Sequence, residues 1–167
     1  MWYNLIKNDY ILYIFERLIK LDLKSLCQRI ADRLGIDPLE IKYEEMIDDS
    51  RLYIIEEYVA INKKFENDYV ECAKAIAHEY RHVFQLFYAN MFDDDRARRW
   101  KAELTALVNT SNMNNKGSNY ISQELELDAF SFTKYYLDKY ESIRINNKIA
   151  GYDEIIDKYI SINYNFL

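Results

Sequence analysis

Residues 69–91 read YVECAKAIAHEYRHVFQLFYANM. Ala73, Ile76, Tyr80, Val83, Phe84 and Phe87 recur every three or four positions, which is the spacing of one face of an α-helix. Neither Gly nor Pro interrupts the run, so a long helix is predicted from Tyr69 to about Met91, with that face buried. His78-Glu79-Tyr80-Arg81-His82 occupies its middle. Residues four apart share a helical face, so the imidazoles of His78 and His82 can meet one ion. Neutral imidazole suits Zn²⁺. Glu79 lies about 100° around the helix from His78. It can flank the ion without ligating it and take a proton from bound water. These are the only two histidines in the chain.

Outward from this helix, residues 5–20 and 22–34 show helical spacing. The second segment places Leu23, Leu26, Cys27, Ile30 and Leu34 on one face; Gly35 closes it and Pro38 prevents its return. Leu39 to Tyr43 alternates as a short strand, and residues 51–65 read as two strands around Glu56-Glu57. Further helices are expected over about Asp95–Val108, Tyr120–Tyr140 and Tyr152–Ile162, with a polar loop at 109–119 in which Gly117 is the most permissive residue. The fold class is therefore α+β, a single domain over 1–167, mostly helical with a small sheet near residues 39–65.

Composition limits the function classes. Half the residues are hydrophobic, 16 are Tyr, and Gly (3) and Pro (1) are scarce, enough for a core without disulfide staples. A net charge of −6 and the lack of a broad basic face argue against direct nucleic-acid binding. The cluster Arg96, Arg98, Arg99 and Lys101 follows Asp93, Asp94 and Asp95. It reads as a helix start, with Asp94–Arg98 and Asp95–Arg99 pairs. Cys27 and Cys72 form no C-x-x-C pair and read as buried thiols. With no signal-peptide layout and no membrane-length apolar run, the expectation is a reduced, cytoplasmic protein.

A zinc ion needs a third protein ligand and, for catalysis, an open position. A carboxylate is expected from Gln123-Glu124-Leu125-Glu126-Leu127-Asp128-Ala129-Phe130. Glu124 and Asp128 lie one turn apart, so Glu124 can bind the metal while Asp128 accepts the outer N–H of a ligand histidine. Glu126, pointing elsewhere on the helix, is the competing ligand. Tyr135 lies on the stripe of Glu124, Asp128 and Ser131 and is a candidate donor to a developing oxyanion. Arg81 could orient a substrate carboxylate or form a surface ion pair. Strand 58–62 is a candidate edge for pairing with an extended substrate.

The HEYRH helix, preceded by Ala75-Ile76-Ala77 and followed by Val83-Phe84-Gln85, resembles the active-site helix of zincins with a glutamate third ligand. ELELDAF (124–130) resembles that group's E-x-x-A-D-x-F signature. With the strand YVAIN (58–62) upstream, residues 20–140 are most similar to the ImmA/IrrE family of small metallopeptidases. The resemblance implies a helix-rich zincin-like domain with a small, mostly antiparallel sheet. It implies one zinc per chain held by His78, His82 and Glu124, with Glu79 as general base and then acid, and Asp128 behind a ligand. It further implies cleavage of a protein or peptide, often a repressor of a mobile element. The chain departs from the family at Leu127 and Arg81, where small residues are common, and it lacks a closing proline after the second motif. Two other readings are a catalytically inactive zincin-like protein, its zinc serving partner binding or sensing, and a helical interaction module in which HEYRH carries no metal.

Overall fold

The computed structural model describes residues 22–109, 123–145 and 152–164. The expected helix over 5–20 lies outside them, as does the polar loop expected at 109–119 except for Asn109, which ends a helix. The first described helix, α1, runs over 22–34. It buries Leu23, Leu26, Cys27, Ile30, Ala31 and Leu34, the face that periodicity predicts. Gly35 ends it at φ 68°, and the N–H of Ile36 returns to the carbonyl of Ala31 at 3.1 Å. This closure favours glycine because a Cβ is strained in the left-handed region.

Three strands follow: β1 (Glu40–Glu44), β2 (Ser50–Tyr53) and β3 (Tyr58–Asn62). The sheet order is β1-β3-β2. β3 pairs parallel with β1, Ile41 opposite Val59, and antiparallel with β2, Leu52 opposite Val59. The sheet is thus mixed rather than mostly antiparallel, because β3 inserts between two strands that precede it. Its central place has a sequence cause. Val59, Ala60 and Ile61 are all fully buried, and a strand covered on both faces reads as a continuous apolar run. The strand expected at the edge is therefore, among the described strands, the one with neighbours on both sides. The expected turn is present, with Glu57 at φ 56° between β2 and β3. Residues 63–65 form a 3-10 turn instead of extending β3.

Helix α2 (Tyr69–Met91) is the long helix of the opening motif. Asp68 caps it by accepting the N–H of Glu71 at 3.1 Å, satisfying one of the donors that a helix start leaves open. Helices α3 (Asp95–Asn109), α4 (Glu124–Glu141) and α5 (Tyr152–Asn163) complete the described chain. Asp94 accepts the Ala97 N–H at 2.8 Å at the start of α3. Arg98 pairs with Asp93 and Asp95, so the Asp94–Arg98 and Asp95–Arg99 pairs expected from spacing do not form. At the start of α4, the two carboxylate oxygens of Glu103 accept the N–H groups of Glu124 and Leu125, each at 3.0 Å.

One face of α2 packs with α1, β3 and α4 in the main core, around Ile30, Ile61, Ile76, Tyr80 and Leu137. Toward its C-terminal end α2 meets α3 and α4 through Ala89, Trp100 and Leu125. Cys27 and Cys72 are buried free thiols, and burial raises the pKa of both. Among the described residues, no helix is long and apolar enough to cross a membrane.

Candidate metal centre

His78 and His82 project from one face of α2, their rings edge-to-face with centroids 4.6 Å apart. Their Nε2 atoms approach to 3.0 Å. Glu126 comes to both from α4, with Oε2 3.3 Å from His78 Nε2 and Oε1 3.5 Å from His82 Nε2. One ligand atom from each of these three residues lies within 4.8 Å of the others, a group that could hold a metal ion. Phe130, four residues after Glu126 and so on the same stripe of α4, lies against the His78 ring at 4.6 Å between centroids. Ala129 is fully buried, and so small a side chain lets α4 lie close to α2.

The carboxylate in the group is the competing one. Glu124 points away, and both its oxygens accept from Arg99 on α3, at 2.7 Å from Nε and 3.0 Å from Nη2. The i+4 acid that favoured Glu124 serves a different purpose. Asp128 is 1% exposed and does not touch a histidine directly. It accepts two bonds from Arg81, at 2.7 and 3.2 Å, one from Gln85 at 2.8 Å, and one from the Tyr164 hydroxyl at 2.7 Å. Burial pushes its pKa up, but the charge of Arg81 and these bonds outweigh burial and hold the carboxyl below its ordinary range. Arg81 is buried as well, with Phe84 and Phe132 stacked 4.4 and 5.1 Å from its guanidinium carbon. It is neither a surface ion pair nor placed to meet a substrate carboxylate.

The link from Asp128 to the histidines runs through Gln85, which sequence reasoning missed. The His82 Nδ1 is 2.8 Å from Gln85 Oε1, and Gln85 Nε2 donates to Asp128. The signal was available, since Gln85 is three residues after His82 and therefore beside it on the helix.

Glu79 is almost fully buried and accepts the Ser50 hydroxyl on Oε1 at 2.7 Å. Ser50 begins β2, and a buried asparagine fixes its approach. Asn62 Nδ2 donates to the carbonyls of Met46 at 2.7 Å and Asp48 at 2.9 Å, and the Asn62 N–H bonds Asp49 O at 2.9 Å. A cleft of about 260 Å³ opens here, lined by Ser50, His78, Glu79, Phe130, Thr133 and Lys134 among others. Lys134 is held by Asp153 and Asp157 of α5, at 2.9 and 2.8 Å.

Tyr135 stands apart from this group. Nine residues beyond Glu126, it lies about 13 Å farther along the helix and on the opposite side. There its hydroxyl bonds Lys139 and its ring meets Tyr140 and Tyr164. It is placed to pack, not to donate at the metal centre. Compared with family models, curated proteins and solved structures, the chain matches none.

Proposed function

We propose that this protein is a zinc-dependent peptidase in which His78, His82 and Glu126 hold the ion and Glu79 is the general base. The convergence of three ligand atoms from two helices carries this reading. Ligands 2.0–2.1 Å from a tetrahedral zinc stand about 3.3 Å from one another. His82 Nε2 and Glu126 Oε2 lie 3.0 and 3.3 Å from His78 Nε2, two edges close to that length, and one ligand atom from each of the three residues lies within 4.8 Å of the others. Three protein ligands are what a catalytic zinc uses, the fourth position taking water or substrate.

When bound, zinc supplies a Lewis acid that polarises a carbonyl and lowers the pKa of water. The chain's own residues do the rest. Glu79 takes the proton from the attacking water and returns it to the leaving amine. Ser50 engages Oε1 of Glu79, which leaves proton transfer to Oε2. β2 pairs with β3 on one side only among the described strands, and Ser50 at its start lines the cleft. An extended peptide can add along β2 through backbone hydrogen bonds, with one side chain in the cleft. The ImmA/IrrE resemblance supports a regulatory protein, such as a mobile-element repressor, as the substrate, and two buried free thiols fit a reducing, cytoplasmic setting.

The Glu79→Gln variant tests the reading. It keeps its zinc and loses peptide hydrolysis by about 10²-fold or more, the usual contribution of a general base. Undiminished hydrolysis would reject Glu79 as the base. A zinc-loaded wild type that cleaves no peptide in a broad library would favour the non-catalytic, partner-binding reading.

A further inference from the structure

Gln85 is fully buried on α2, with both ends of its amide engaged. Its Nε2 lies 2.9 Å from the carbonyl of Leu125 and 2.8 Å from Asp128 Oδ2. A carbonyl and an ionised carboxylate accept hydrogen bonds and cannot donate. The amide is therefore held one way round, because a flip would set Oε1 against two acceptors in a buried site. Oε1 consequently faces His82 Nδ1 at 2.8 Å, and since it can only accept, Nδ1 carries the hydrogen. In a neutral imidazole that leaves Nε2 with its lone pair, the atom that approaches Glu126 and His78.

From this geometry, which rests on the metal-centre reading above, we propose that Gln85 is a positioning residue that locks His82 in the Nδ1–H tautomer and turns its Nε2 toward the metal. The lock is anchored at a distance. Asp128 is itself fixed by Arg81 and by the hydroxyl of Tyr164, so a chain of hydrogen bonds runs from the end of α5 through α4 to a ligand on α2. An unconstrained imidazole would sample both tautomers and more than one ring orientation. Partners behind a metal ligand contribute about 10–100-fold in affinity, and Gln85 is assigned that share here.

The test uses the full chain, ¹⁵N-labelled and metal-free, at about pH 8, above the ordinary imidazole pKa. With two histidines in the sequence, long-range ¹H–¹⁵N correlations resolve each ring. The expected wild-type pattern for His82 is a protonated Nδ1 and a bare Nε2; a protonated Nε2 would overturn the proposal without any variant. In Gln85→Leu the two tautomers mix, and the Kd for zinc, measured by competition with a chromophoric chelator, rises about 10–100-fold. A folded Gln85→Leu with the wild-type tautomer and the wild-type Kd would also overturn it. The tautomer is read without metal, so it decides this inference by itself. Failure of the wild-type chain to take up zinc would overturn the metal centre instead.

Discussion

Glu124 and Glu126 stand two positions apart on α4, about 200° around the helix from one another. The position of Arg99 separates their roles. Its guanidinium meets Glu124 with both carboxylate oxygens, while Glu126 is turned inward to the histidines. Sequence reasoning expects a carboxylate from this segment, and the histidine pair that the structure brings together is legible from i, i+4 spacing. The choice between two glutamates is not legible. It depends on which side of α4 faces α2, and α4 buries Leu125, Glu126, Asp128 and Ala129 around much of its circumference. A helix covered on several sides gives no single stripe from which to orient it. Glu124→Gln removes a partly exposed ion pair, its side chains 55% and 24% exposed. Denaturant melts should find a loss of no more than about 1 kcal/mol; a loss of several kcal/mol would contradict the pairing described.

At the scale of elements, the α2–α4 contact contains a buried ion pair, Arg81–Asp128. In the structure Arg81 has a local purpose. It neutralises Asp128 inside an aromatic cage, and Asp128 in turn aligns Gln85. Removing one member leaves the other charge buried without a counterion. Arg81→Met should therefore cost about 3–5 kcal/mol in urea unfolding, and a change under about 1 kcal/mol would contradict the burial. The helices themselves were readable, since the 3.6-residue period and the Gly35 stop locate α1, α2, α3 and α5 closely. The sheet was only partly so. Its strands fall near the predicted positions, but Val59-Ala60-Ile61 has no alternation. A run of that kind states burial without stating which strands cover it. Parallel pairing of β1 with β3 brings together segments that are not consecutive in the chain, which local patterns do not encode.

At the scale of the whole molecule, the many tyrosines make a prediction about pH. Burial and then the charge of Asp128 raise Tyr164 well above its ordinary pKa, and the same causes in the same order raise Tyr159. Burial, followed by Glu141, pushes Tyr136 up to about 12. A group whose folded pKa is raised stabilises the fold fully below its unfolded value, about 10 for Tyr. That stability is lost as pH rises through the folded pKa. Unfolding free energy should thus fall progressively above about pH 10, and less steeply in Tyr164→Phe, as urea melts between about pH 8 and 11 will check. A flat profile would contradict the buried tyrosines. Tyr159 and Tyr164 bring the C-terminal helix against Asp128 of α4, a role that its own sequence pattern does not announce.

The proposal that two histidines of α2 and Glu126 of α4 form one metal centre stands or falls on the zinc content, by elemental analysis, of chelator-free wild type, Glu124→Ala and Glu126→Ala, each first confirmed as folded by circular dichroism. About one zinc per chain is expected in wild type and Glu124→Ala, with a sharp loss in Glu126→Ala. Full zinc in Glu126→Ala, or loss of zinc in Glu124→Ala, would contradict this ligand set.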